Sequence, residues 1–162
     1  MKQPSYVEFT PALAEAYIAF STKLKANSLS ARLRHLVDIR VSQLNSCAFC
    51  LDMHNKEAKI AGERELRLYH VAVWDDSPLF TDREKAALAY AEALTGIIDP
   101  HKAVAARTAL ALHFSEQEIA ELTYVIVSIN GWNRLGVAYQ SRPGSMDRLY
   151  GLEKAGLEAD AA

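Results

Sequence analysis

The sequence predicts an all-α fold, and three observations carry that prediction. Apolar residues recur at spacings of three and four through most of the chain. No long alternating run of β-branched residues marks a strand. Helix-start signals, two of them capping boxes, stand in front of the periodic segments. At 162 residues the chain suits one domain, read as residues 1–162 with a core over about 8–145 and a short C-terminal tail.

The elements follow in order. Pro11 behind Thr10 opens a first helix with Leu13, Tyr17, Phe20 and Leu24 on one stripe, stopped by Asn27-Ser28. Ser30 caps a second, carrying Leu33, Leu36, Val37, Val41 and Leu44. Asn45-Ser46 interrupts it and caps a third, which begins at Cys47 and runs towards Gly62. A short helical segment over Glu63 to Val73 follows, then a loop at Asp75-Asp76-Ser77-Pro78. Thr81 with Glu84 forms a capping box for a helix through Leu88 and Leu94, and Glu84 reads as its capping residue. A further helix spans about His101 to Leu112, and Ser115 with Glu118 opens a long one through Leu135. Gly131 and Gly136 inside that last pattern permit close packing or a bend. From Arg142-Pro143-Gly144 onward the chain reads as tail, with a short helix near Met146 to Leu149 and an Ala-rich end that frays.

The long helix is apolar nearly all round, through Leu122, Tyr124, Val125, Ile126, Val127, Ile129 and Trp132, and therefore calls for burial on every side. A partner subunit supplies that burial readily, so a homo-oligomer is expected. Asn130, Asn133 and Arg134 interrupt the pattern as buried hydrogen-bonding groups or interface residues, with Arg134 free to pair with a neighbouring acid. Trp74 and Trp132 read as core or interface anchors.

Composition narrows the function classes. Half the residues are hydrophobic and 23% charged, with a net charge of −2, which gives no reason to expect nucleic acid or an anionic membrane as partner. The polar start lacks a signal-peptide pattern, so the cytoplasm is the expected compartment. There, a close cysteine pair is catalytic or metal-binding more often than structural.

Both cysteines of the chain lie in the run Cys47-Ala48-Phe49-Cys50-Leu51-Asp52-Met53-His54. On a helix, positions three and four apart share a face, so Cys47, Cys50 and His54 converge. The two Cα atoms then stand within disulfide range, and a helix N-terminus favours thiolate over thiol. A thiolate attacks a peroxide or a disulfide, and the second sulfur resolves the product. His54 can accept the thiol proton or return one to the leaving group. Zinc is the competing reading: Cys47, Cys50 and His54 are three of the usual four ligands, with His35 or an exogenous group as the fourth. Covalent haem is excluded, because Leu51 rather than histidine follows the second cysteine.

The stretch from Asp38 through Cys47-Ala48-Phe49-Cys50 to His54 closely resembles the core motif of the alkylhydroperoxidase-D-like family, within the carboxymuconolactone decarboxylase superfamily. Gly62-Glu63, Trp74, the run from Asp82 to Thr95, Phe114 to Glu118 and Ile129 to Leu135 extend the likeness over about residues 8–145. The resemblance implies an all-helical fold assembling into trimers, hexamers or related oligomers. It also implies peroxide or disulfide reductase activity through a dithiol–disulfide cycle, regenerated by an external dithiol or disulfide reductant. Carried over residue by residue, Cys50 attacks the hydroperoxide, Cys47 closes the disulfide, and His54 matches the relay histidine. The position of Cys47 nearer the helix start would alone have favoured it as the attacking thiolate. Lactone decarboxylation is not carried over, since the branch with that activity characteristically lacks the cysteine pair.

One position departs from the pattern. The family usually has a glutamate twelve residues before the first cysteine, in a proton relay with the histidine, and His35 stands there. Histidine can shuttle protons but supplies no fixed negative charge to orient His54. Asp38, one turn on, is either a stand-in carboxylate or a solvated surface acid. The expected catalytic set is Cys50, Cys47, His54 and His35, with no cofactor and no metal. The alternatives are a protein disulfide reductase using the same dithiol, and a metal- or ligand-binding oligomer without turnover.

Overall fold

The computed structural model describes residues 5–157. Among these the chain is helical throughout: α1 (Tyr6–Phe9), α2 (Pro11–Leu24), α3 (Ala31–Leu44), α4 (Ala48–Ile60), α5 (Glu65–His70) continued by a 3-10 turn (Val71–Val73), α6 (Asp82–Ala93), α7 (Pro100–Leu110), α8 (Glu116–Ala138), α9 (Asp147–Tyr150) and a 3-10 turn (Leu152–Ala155). The expected all-α class holds. None of the described helices is long and apolar enough to cross a membrane. The expected fraying of the Ala-rich end and the polar start fall mainly outside the described residues.

The capping signals place the helices. Ser30 Oγ accepts from the Leu33 amide, and both capping boxes, Thr81 with Glu84 and Ser115 with Glu118, are complete. Each fixes the start of a helix by satisfying amides that have no partner within the helix.

The helix α3 is the centre of the array because it buries two stripes. Leu33, Val37 and Val41 face a cluster with Ala87, Tyr90 and Ala91 of α6, Leu110 of α7, and Ile119, Leu122, Val125, Ile126 and Ile129 of α8. Leu36 and Ile39 face a second cluster with Ala58, Leu68, Val71, Trp74, Phe80 and Leu88. Both cysteines belong to the first cluster, so the dithiol is part of the core.

Within one chain the long helix α8 is not covered all round: Leu122, Val125, Ile126, Ile129, Asn133 and Gly136 point inward, whereas Tyr124 and Val127 are 57% and 54% exposed, the side for which the sequence calls on a partner subunit. The helix α2 covers only part of its outer face, where Tyr17 and Ser21 meet Ser128 and Trp132 of α8. One expectation needs correction: the segment after Arg142 is not a loose tail. Lys56 is 1% exposed, and its ammonium donates to Asp52 at 2.8 Å and to Asp147 at 2.7 Å. Asp52 also accepts from the Gly144 amide, and Leu152 and Ala155 are buried. A buried ammonium requires paired anions, and the segment that brings Asp147 supplies one of them.

Gly131 shows why α2 can lie so close. A Cβ built there would stand 2.0 Å from the Tyr17 hydroxyl. That hydroxyl donates to the Ser128 carbonyl at 2.7 Å, and the ring packs on Trp132 at 4.5 Å between centroids. Gly131→Ala must displace Tyr17 and is expected to cost about 1–2 kcal/mol in denaturant unfolding. An unchanged midpoint would show that the tyrosine is not held there.

Candidate active site

The site is built at the turn between α3 and α4. The helix α3 ends in a Schellman arrangement: the Ser46 amide donates to the Gln43 carbonyl at 3.2 Å and the Cys47 amide to the Ser42 carbonyl at 3.1 Å. Ser46 therefore takes a left-handed conformation, φ 55°, where glycine is usual. Ser46→Gly is expected to stabilise the fold by about 0.5–1 kcal/mol without altering the site, read as a rise in the unfolding midpoint. The preceding residue is tied to α8. Nδ2 of the Asn45 side chain donates to the side-chain oxygens of Asn130 and Asn133, both at 2.9 Å, and Asn133 donates to Ser42 Oγ at 3.1 Å. Asn130 and Asn133 are thus the hydrogen-bonding groups that fix the cysteine turn. Arg134 pairs with no acid among the described residues; it donates to the carbonyl and side-chain oxygen of Asn130.

Cys47 is itself the N-cap of α4, a role expected of Asn45-Ser46. Its sulfur accepts from the Cys50 amide at 3.3 Å, as a serine oxygen would. Cys47 and Cys50 are joined as a disulfide with their Cα atoms 5.4 Å apart. The pair is nearly sealed, at 2% and 1% exposure. Gly136 of α8 lies against it: a Cβ there would be 2.8 Å from Cys47 Sγ and 3.2 Å from Cys50 Sγ. The gap in the α8 helix pattern that this glycine provides is what lets the sulfurs sit beneath the helix.

One turn beyond Cys50, His54 enters a compact polar cluster. Its Nδ1 is 2.8 Å from Glu57 Oε2 and 3.9 Å from Asp38 Oδ2. His35 Nδ1 lies 3.9 Å from the same Glu57 oxygen, and the exposed Lys25 ammonium 3.8 Å from Oε1. Burial raises the Glu57 carboxyl, but the hydrogen bond and charge of His54, with Lys25 and His35, bring it down to about 2. Glu57 is therefore an acceptor, so Nδ1 of His54 carries the hydrogen and Nε2 is left to exchange a proton. Burial also opposes charge on His54, yet Asp38 and Glu57 outweigh it and hold its pKa above the usual imidazole value. Burial pushes Asp38 up to about 6, against the pull of His54. Burial lowers His35.

The sequence-predicted residues thus fall into two groups, one helical turn apart along α4: the bonded pair Cys47–Cys50, and His54 with His35 and Asp38. Asp38 is not a solvated surface acid but part of the cluster. Glu57 was not anticipated, although its signal was present. It stands three residues after His54, the spacing that returns a side chain to the same helix face. Glu84 is the capping residue expected, and also accepts from Arg67 at 2.6 Å; Glu92 accepts from Arg40 and Trp74, both at 2.7 Å.

The fold and the site define a class: an all-helical protein carrying a helix-terminal CxxC disulfide beside a histidine–carboxylate cluster. Residues 11–93 match the model of the carboxymuconolactone decarboxylase family. The chain belongs to that family, within the AhpD-like superfamily. It is 36% identical over 143 residues to the uncharacterized protein YdfG of Bacillus subtilis (strain 168), covering 87% of this chain and 96% of that one. A crystal structure of a protein of unknown function from Agrobacterium tumefaciens, proposed as an antioxidant-defence AhpD, is similar at 34% identity and a TM-score of 0.83. That similarity covers 88% of this chain and 98% of the other. An uncharacterized peroxidase-related AhpD-core protein from Ralstonia eutropha JMP134 shares the fold at 20% identity and a TM-score of 0.73, over 86% of this chain and 74% of its own.

Proposed function

We propose that the protein is a thiol peroxidase acting on small hydroperoxides. The observation that carries the reading is a core-embedded disulfide whose Cys50 stands one helical turn before His54 on α4, with Nδ1 of that histidine held by an ionised Glu57. In the reduced form the Cys50 thiolate attacks the distal peroxide oxygen. The O–O bond breaks, Cys50 becomes a sulfenic acid, and the alkoxide leaves as alcohol with a proton relayed through His54. Cys47 then displaces hydroxide from that sulfenic acid, releasing water and forming the disulfide. An external dithiol reduces the disulfide by exchange and is itself oxidised.

The near-complete burial of both sulfurs favours a small hydroperoxide over a folded protein disulfide as the oxidant. The name of the family does not extend to lactone chemistry here, because the reacting groups present are thiols and a base. Self-association completes the reading: Tyr124 and Val127 of α8 and Leu13 of α2 are exposed apolar side chains suited to contact with further copies. Light scattering is expected to give a trimer or hexamer mass.

A peroxide titration of the reduced protein with intact-mass readout tests the function. The expected product is a single species two hydrogens lighter. An unchanged mass in excess peroxide would defeat the reading.

A further inference from the structure

The cluster beside the dithiol has the composition of a metal site. Each of two packed helices offers a histidine followed one turn later by an acid: His35 and Asp38 on α3, His54 and Glu57 on α4. One donor atom from each of His35, Asp38 and His54 lies within 4.8 Å of the other two. Glu57 reaches into the same space, 2.8 Å from His54 and 3.9 Å from His35. All four side chains are largely withdrawn from solvent.

Two details point to a ligand rather than to a closed ion-pair network. His35 Nδ1 is buried and makes no hydrogen bond. Such a group is costly to leave unmatched, and an ion or a water is the ordinary remedy. The 3.9 Å separations, His35 to Glu57 and His54 to Asp38, are also too long for hydrogen bonds. They fall within the span of two ligands that share an ion about 2.0–2.2 Å from each. Two neutral imidazoles and two carboxylates carry two negative charges, matching a divalent cation. The donor set of nitrogen and oxygen suits zinc, and it is too poor in oxygen for calcium or magnesium. Lys25, the competing cation, is exposed and free to swing away from Glu57.

We propose that His35, Asp38 and His54, with Glu57 as fourth ligand, form a zinc-type divalent-cation site, and that its occupancy arrests the dithiol cycle by holding His54. The binding stands independently of the peroxidase reading; the arrest rests on it. The cysteines contribute no ligand, which separates this site from the Cys47–Cys50–His54 zinc arrangement that the sequence also allows.

The test is calorimetric titration with Zn²⁺ alone, on the full chain carrying both Cys47→Ser and Cys50→Ser, with elemental analysis after dialysis. The expected result is one ion per chain, with affinity lowered at least about tenfold by either His35→Gln or Asp38→Asn in that background. Circular dichroism confirms that each variant is folded, and Co²⁺ in place of zinc should give visible bands that the same substitutions remove. Absence of binding to the double-serine protein, or binding indifferent to both substitutions, would overturn the site. Because that protein cannot turn over, neither result depends on peroxidase activity. In the wild-type enzyme, Zn²⁺ should inhibit peroxide consumption and a chelator should restore it. Full activity with zinc bound would overturn the arrest, and zinc bound by a wild-type protein inert to peroxide would defeat the peroxidase reading alone.

Discussion

Cys50→Ser is expected to abolish peroxide turnover, with kcat/KM lower by at least about a thousandfold, while Cys47→Ser still reacts once per chain. The two variants separate the steps of the cycle. Without Cys50 there is no attacking thiolate, and the mass of the protein stays unchanged in peroxide. Without Cys47 the Cys50 sulfenic acid has no resolving partner, so the protein gains one oxygen and stops. The order follows the resemblance, and the local structure leaves it open to experiment. Cys47 is the N-cap, with its sulfur against the Cys50 amide, and a helix terminus stabilises a thiolate there too. If Cys47→Ser were inert and Cys50→Ser took up one oxygen, the order would be reversed and the helix terminus would have decided it.

Short-range chemistry explains which features were legible from sequence. Capping boxes couple residues three apart, so Thr81 with Glu84 and Ser115 with Glu118 could be placed from local pattern alone. The CxxC pair and His54 obey the same rule. Cys47 as a cap was missed because a thiol is not among the usual capping groups, yet with α3 already closed by its Schellman turn the sulfur is the group at hand. Glu57 lies outside the family pattern, which places the relay glutamate before the cysteines, on α3, where His35 and Asp38 stand. The carboxylate nearer to His54 stands instead on α4, the histidine's own helix. Lys56 with Asp147 joins groups 91 residues apart, and no periodicity encodes such a pair. The outward side of α8 shows the converse limit. Apolar residues on all faces state only that exposure is unfavourable, and what covers them is decided by other elements or other molecules.

Glu57→Gln is expected to lower kcat by about 10- to 100-fold with KM little changed, measured with chelator present so that bound metal plays no part. Glutamine keeps the length of the side chain and an oxygen able to accept from His54 Nδ1, so the orientation of the imidazole is retained. What it removes is a charge 2.8 Å from the ring. At an effective dielectric of about 20, a unit charge some 4 Å from an imidazolium is worth roughly 4 kcal/mol. Asp38, 3.9 Å away on the other helix, compensates part of this loss, and a net effect of about 1.5–3 kcal/mol on the proton-carrying form remains. Because that form is needed when the leaving alkoxide is protonated and not when the peroxide binds, the loss belongs to kcat. Glu57→Ala, which removes the hydrogen bond as well, should fall further, and the difference between the two variants measures orientation separately from charge. Wild-type kcat in Glu57→Gln would mean that Glu57 only fixes the ring. The charge would then be supplied by Asp38 alone, and Asp38→Asn would carry the deficit instead.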